Sequence, residues 1–437
     1  MVPGAPSAVT HRAISLRRII QSLRAWQAFL AFVAFAWPLA LVPLARSQGS
    51  TAHWERVGSY PGDVVVRRVA VGQSQQMSVL YVVGTNSGLH LSVDGGAHWS
   101  QISGGLPQGS LGQVGIIDLA VDLGDPGVAY IVVESPPAVP RPMVYWTADM
   151  GLTWQPRASL GQERVRAVGL APQDNGLYVV TANDVLRAFV FDEHSRQGLS
   201  IRERFVRGVD DLHWLSISSF DGRTQATLLA ISSQPVATSP AAASADAERA
   251  SKRPIIGRGS SGQGASETDQ ALTLYVGTRH GGLRIVVDST ATDPSSVLAR
   301  DDADTRYVRQ QATIQALSID PQRPSRIYVG TERGVYASED AGVSWYATGE
   351  PLRARSVLSL LADPAKGDAL FAGLAGGGVF RSEDAGASWQ PLGTGLGHAS
   401  VFSLAVSGSE PQMLYAATDN GLWRLEMSGD MGRAQKP

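Results

Sequence analysis

Four stretches of the chain share the pattern S/T-x-D-x-G-x-x-W, at Ser92–Trp99, Thr147–Trp154, Ser338–Trp345 and Ser382–Trp389. A carboxylate beside a hydroxyl and a glycine has three uses: calcium ligation, acid catalysis or holding a turn. Calcium needs six or more oxygens, one Asp per turn offers too few, and no D-x-D-x-D-G loop occurs. Catalytic carboxylates of glycosidases work as facing pairs, whereas these recur singly along the chain. The third use fits the residue types. Asp94, Asp149, Asp340 and Asp384 can accept from backbone N–H groups of their own turns. Gly96, Gly151, Gly342 and Gly386 supply a positive φ. Ser92, Thr147, Ser338 and Ser382 bond back across the hairpin. Trp99, Trp154, Trp345 and Trp389 open the next strand and bury an indole between sheets.

Other chemistry is sparse. The chain has no Cys, which removes thiolate catalysis, disulfides and Cys-based metal sites. Its eight His form no H-x-x-x-H or H-E-x-x-H pair, and there is no G-x-S-x-G elbow or phosphate loop. "GLAGGG" at Gly373 has no helix after it to hold phosphate. Asp118, Asp210, Asp211 and Asp301 are the acids a glycosidase reading would nominate, and nothing in their context singles them out. No cofactor and no metal are expected.

The elements around the four turns repeat as well. Ser338 and Ser382 open near-identical octapeptides 382 − 338, or 44, residues apart. Hairpins such as "LYVVGTNSGLHLS", "IYVGTERGVYAS" and "LYAATDNGLWRL" precede the turns or stand in register with them. Apolar runs of period near two, "IIDLAVD", "IQALSID" and "VLSLLAD" among them, lie about fifteen residues earlier. Four short strands in a unit of about 44 residues make a propeller blade. The fold class is therefore all-β, a seven-bladed β-propeller of four-stranded blades. Inner strands are expected near Val64, Ile116, Val165, Leu212, Ile314, Val357 and Val401. "HWERVG" at His53 matches "SWQPLG" at Ser388 and is expected to close the ring as the outer strand of the last blade. Two insertions, about 234–270 and 289–310, lack periodicity and read as loops, the first disordered. An eight-bladed reading, with "TLLAISS" seeding a blade of its own, stays open.

The repeated octapeptide resembles the Asp-box, or BNR, repeat of sialidase-like and sortilin-like propellers. Sialidases also carry an early R-I-P stretch, which is missing here. In blade style, lead segment and blade count, residues 54–426 look like the photosystem II stability/assembly-factor-like group. That resemblance implies a noncatalytic scaffold that binds a protein or peptide partner on one face. The rival expectation is an extracytoplasmic glycoside hydrolase or glycan-binding propeller.

Propeller ligands usually meet the face formed by the segments leading into the inner strands and by the second-to-third-strand hairpins. Here those segments carry Arg67, Arg68, Arg164, Arg166, His213, Arg353, Arg355 and His398, and the hairpins add Arg279 and Arg333. Such a set suits acidic partner surfaces. The proline-rich "ESPPAVPRP", residues 134–142, reads as a stiff arm on the same face. At the N-terminus, a basic stretch precedes 21 uncharged residues, Ala25–Ala45. That is a signal peptide, cleaved before Gln48, or an uncleaved signal anchor helix, so residues 1–48 target the body to an extracytoplasmic place. Residues 49–429 then form the propeller, and 430–437 a disordered tail. A net charge of −2 favours no nucleic acid, and a monomer is expected.

Overall fold

The computed structural model describes residues 52–61, 65–73, 78–106, 115–122, 125–134, 143–159, 165–171, 177–181, 184–189, 213–219, 226–232, 272–288, 303–408 and 412–427. The segment Ala25–Ala45, the 234–270 insertion and the 430–437 tail lie outside these residues. Among the described residues no helix is long and apolar enough to cross a membrane.

Within residues 52–437, seven antiparallel sheets follow one another along the chain. Each inner strand packs beside the inner strands of its two neighbours, and the last packs beside the first, so the blades close into a ring. Blade one consists of Val66–Gln73, Ser78–Gly84, Gly88–Ser92 and Ser100–Gln101. Blades five and six copy it, from Ile314 to Ala347 and from Val357 to Pro391. Blade seven takes its fourth strand from the other end of the chain. Glu55–Arg56 pairs with Gly421–Glu426, with Glu55 opposite Arg424. The expected closure by "HWERVG" is therefore present.

The cores lie between blades. Seven buried apolar clusters occupy the seven seams. Alternation along a strand explains why second strands read as unbroken apolar runs. In Ser78–Gly84, Leu80 and Val82 enter the seam with blade seven, while Val79, Tyr81 and Val83 enter the seam with blade two. Both faces are dry, so no polar alternation survives. One aromatic of every second strand faces the following blade: Tyr81, Tyr130, Tyr178, Tyr275, Tyr328, Phe371 and Tyr415. Three of their hydroxyls bolt seams by donating to the next blade's turns. Tyr81 donates to the Pro126 carbonyl at 2.7 Å, Tyr275 to Ala341 at 3.1 Å and Tyr415 to Gly95 at 3.3 Å.

The middle of the ring departs from expectation in two places. "HWLSIS" does not begin a blade: His213–Ser219 is the outer strand of blade three, paired along Asp184–Phe189. Blade four begins instead at Ala226–Ser232, the "TLLAIS" run, and continues with Leu272–Thr278 and Leu283–Asp288. The count stays at seven because one strand changed blades. The two runs have the same alternation, and only long-range pairing tells an inner strand from an outer one. The second correction concerns the 289–310 insertion, read as a loop. Its end, Ala303–Gln310, is a helix. Among the described residues blade four has three strands, and this helix packs against the third of them and against blade five.

Candidate functional site

The four S/T-x-D-x-G-x-x-W turns connect third to fourth strands in blades one, two, five and six, on the rim where first-to-second-strand hairpins also lie. We call this the lower rim. Their bonding is the same in every copy. The Ser or Thr hydroxyl donates to its Asp Oδ1 at 2.7–2.9 Å. The glycine N–H donates to that hydroxyl at 2.8–2.9 Å. Asp Oδ1 also accepts the N–H of His98, Thr153, Ser344 or Ser388 at 2.8–2.9 Å. Thr153, Ser344 and Ser388 add a hydroxyl donation to Oδ2 at 2.6 Å, and the His98 ring takes that place in blade one.

Burial raises the affinity of Asp149, Asp340 and Asp384 for a proton. The donated hydrogen bonds outweigh it and hold all three below the usual carboxylate range. Asp94 is also depressed, chiefly by the His98 N–H and then by its ring. The glycines have φ of 80–92°, and each is preceded by a second left-handed residue: Gly95, Met150, Ala341 or Ala385. At Gly151 a Cβ would also sit 2.4 Å from Ile102 of the preceding blade, so the turn demands glycine twice over.

Trp154, Trp345 and Trp389 are buried, as is Trp54 in the closing strand, while Trp99 is half-buried. Three of these indoles donate to the outer edge of the blade before them. Trp154 reaches the Ile102 carbonyl at 3.0 Å, Trp389 the Thr348 hydroxyl at 3.3 Å and Trp54 the Leu392 carbonyl at 2.7 Å.

The opposite, upper rim carries the inner-strand starts and the second-to-third-strand hairpins. Register puts Val66 opposite Gly84, and the same correspondence recurs in each blade. Every inner strand then has a bulge just after this position, which is its first paired residue except in blade two, where Gly115 pairs Glu134 before it. The residues left over are Arg67, Ile117, Arg166, Thr227, Gln315, Leu358 and Phe402. A bulge re-aims its extra side chain and breaks the alternation. Seven at one level make a ring of displaced residues around the axis. The Arg67 guanidinium lies 4.7 Å over the Phe402 ring, spanning blades one and seven.

Most of the residues expected to face a partner do share this rim. Arg67, Arg279, Arg333, Arg353, Arg355 and His398 are exposed there, and Arg166 is half-buried. Several have local engagements: Arg333 lies 5.0 Å over Tyr307, Arg355 5.5 Å over Phe380, and Arg353 sits 3.9 Å from Glu350. Arg164 lies outside the described residues, as do 135–142 of the proline-rich stretch. That stretch connects the second and third strands of blade two, which meet on the upper rim.

Two expected residues do not belong with them. His213 opens an outer strand opposite Phe189, at the lower end of blade three. Arg68 is engaged in a bridge: its Nη2 is 3.1 Å from Asp118 Oδ1, and Asp118 Oδ2 accepts the Val168 N–H at 3.0 Å. Asp118 thus ties blades one, two and three together, already satisfied by a cation and an amide. Of the other nominated acids, Asp210, Asp211 and Asp301 lie outside the described residues. Among the described residues no group of three or more His, Asp or Glu is arranged to hold a metal.

Neither the seam aromatics nor the bulge ring is among the expectations drawn from the sequence. An L/I-Y/F-V/A signature in the second strands marks six blades, with Ala129-Tyr130-Ile131 in its place in blade two, where the Asp-containing turn marks four. The bulges have no such signature, because the displaced residues share no chemistry.

No family model matches the chain, and neither does any curated protein. Solved structures do. One, YCF48 bound to D1 peptide, aligns over 86% of this chain and 97% of that one, at 13% identity and a TM-score of 0.50. Another is the extracellular domain of a putative hybrid two component system from B. thetaiotaomicron. It aligns over 86% of this chain at 15% identity and a TM-score of 0.50, and this chain spans only 40% of its length. At these identities the likeness is one of fold: the chain is a seven-bladed β-propeller similar in architecture to both.

Proposed function

We propose that the chain is an exported, noncatalytic propeller scaffold that binds a protein or peptide partner on its upper rim, in assembly of an envelope or membrane complex. The observation that carries this reading is the separation of the rims. The shared turns stand on the lower rim with their carboxylates satisfied from within. Arg67, Arg166, Arg279, Arg333, Arg353 and Arg355, from different blades, stand on the other. Unshared cationic residues on a rigid frame suit recognition of an acidic segment. Peptide binding by YCF48, a propeller of like fold, supports the same use of the architecture. In this reading the turns are Asp-boxes with a structural task. The basic and apolar residues before Gln48 export the body, either as a cleaved signal or as an anchor.

The test is a capture experiment with the folded propeller on an extract of its own cell envelope, beside a screen of glycosidase substrates and glycans. The double variant Arg353→Glu/Arg355→Glu should fold normally and lose at least about tenfold in partner affinity. Turnover of any glycoside would overturn the scaffold reading, and undiminished capture by the variant would remove the upper rim from it.

A further inference from the structure

The helix Ala303–Gln310 brings an arginine to blade four whose surroundings do not satisfy it. Its last turn packs on the upper hairpin of that blade. The Gly282 N–H donates to the Ala312 carbonyl at 3.1 Å, and a Cβ on Gly282 would lie 2.3 Å from the carbonyl carbon of Arg309. Glycine is therefore required for the helix end to approach. Arg309 Nη1 is buried and has no hydrogen-bond partner. Arg284, two residues past Gly282 at the start of the third strand, is exposed. Burial, and then the charge of Arg284, pull the Arg309 guanidinium below the ordinary arginine range.

The usual compensations are absent among the described residues. A basic residue in a helix's last turn complements the dipole, yet the Tyr307 carbonyl accepts from the Gln311 and Ala312 N–H groups instead. Glu332 and Asp304, described acids of this region, are engaged elsewhere. Glu332 accepts from the Tyr307 hydroxyl at 2.8 Å and the Thr313 N–H at 3.2 Å, and Asp304 accepts from the Ala347 N–H at 3.1 Å. A buried, unpaired guanidinium N–H beside a like charge costs free energy, and an entering anion would both accept the hydrogen bond and offset the charge.

We propose that Arg309 and Arg284 form a binding site for an oxyanion, a phosphate or carboxylate group, at the place where the helix stands beside the three-stranded fourth blade. Planar guanidinium forks match both groups. The site stands apart from the partner reading, since small inorganic ions probe it.

The experiment titrates the purified full chain with sodium phosphate, sodium sulfate or sodium acetate. Ionic strength is held constant with chloride, and binding is followed by calorimetry and thermal unfolding. Saturable binding by phosphate or acetate beyond chloride is expected, weakened about tenfold or more in Arg309→Met. Whichever of the two binds more tightly names the source of the group. Arg284→Gln, at an exposed position, should weaken it similarly and keeps the test open if Arg309→Met fails to fold. No response beyond chloride, or equal affinity in wild type and Arg284→Gln, overturns the proposal.

Discussion

Blade six and blade four solve the same problem differently. Blade six has four strands, a complete turn at Ser382–Trp389 and an indole that docks on Thr348 of the blade before it. Among the described residues blade four has three strands and, where an outer edge should receive the indole of blade five, a helix. Trp345 engages the helix through its backbone, whose N–H donates to Thr305 Oγ1 at 2.9 Å, while its indole donates to the Gly342 carbonyl of its own turn at 3.1 Å, as the Trp99 indole does to Gly96. Tyr307 and Val308 fill the seam from the helix side. The ring needs each seam dry and its donors satisfied. It does not need those contacts to come from a strand.

That comparison can be broken at its largest contact first. Trp389→Ala should cost about 3–5 kcal/mol in urea unfolding, because it removes a fully buried indole from a seam with no alternative filling. Val308→Ala, the corresponding attack on the helix-filled seam, should cost about 2 kcal/mol. A negligible effect of Val308→Ala would show that the helix merely rests on the surface. Thr305→Val comes next. It keeps the shape but leaves the Trp345 N–H without its acceptor, at a cost of about 1–3 kcal/mol.

The smallest effect concerns pH. The turn carboxylates have folded pKa values below their unfolded ones, so the stability they contribute is present above the unfolded value and lost as pH falls through the folded value. Stability measured by unfolding from neutral pH downward should fall below about pH 4. Asp384→Asn should flatten part of that acid limb while costing stability at pH 7. An unchanged acid limb would mean that this carboxylate titrates alike in the folded and unfolded chain.

Much of the frame was legible from local chemistry. The turn motif, its positive-φ glycine and the hairpins act within a few residues, and the structure has the hairpins and a left-handed glycine in each turn. The closing "HWERVG" was legible only through its likeness to "SWQPLG", because its partner strand lies at the other end of the chain. The middle of the ring was not legible, because "HWLSIS" and "TLLAIS" offer the same alternation and differ only in what they pair with. Two neighbouring arginines make the same point. Arg67 is exposed over Phe402, while Arg68 is tied to Asp118, and the difference comes from a bulge that neither residue announces.

The sequence by itself determined the repeating unit, since a four-strand blade and its turn are specified by contacts close along the chain. Only the tertiary structure decided which strand belongs to which blade, that a helix stands beside the third strand of the fourth, and which arginines stand exposed on the upper rim. Those outcomes depend on seams between elements distant in the chain, where burial and pairing are settled by neighbours that no local pattern encodes.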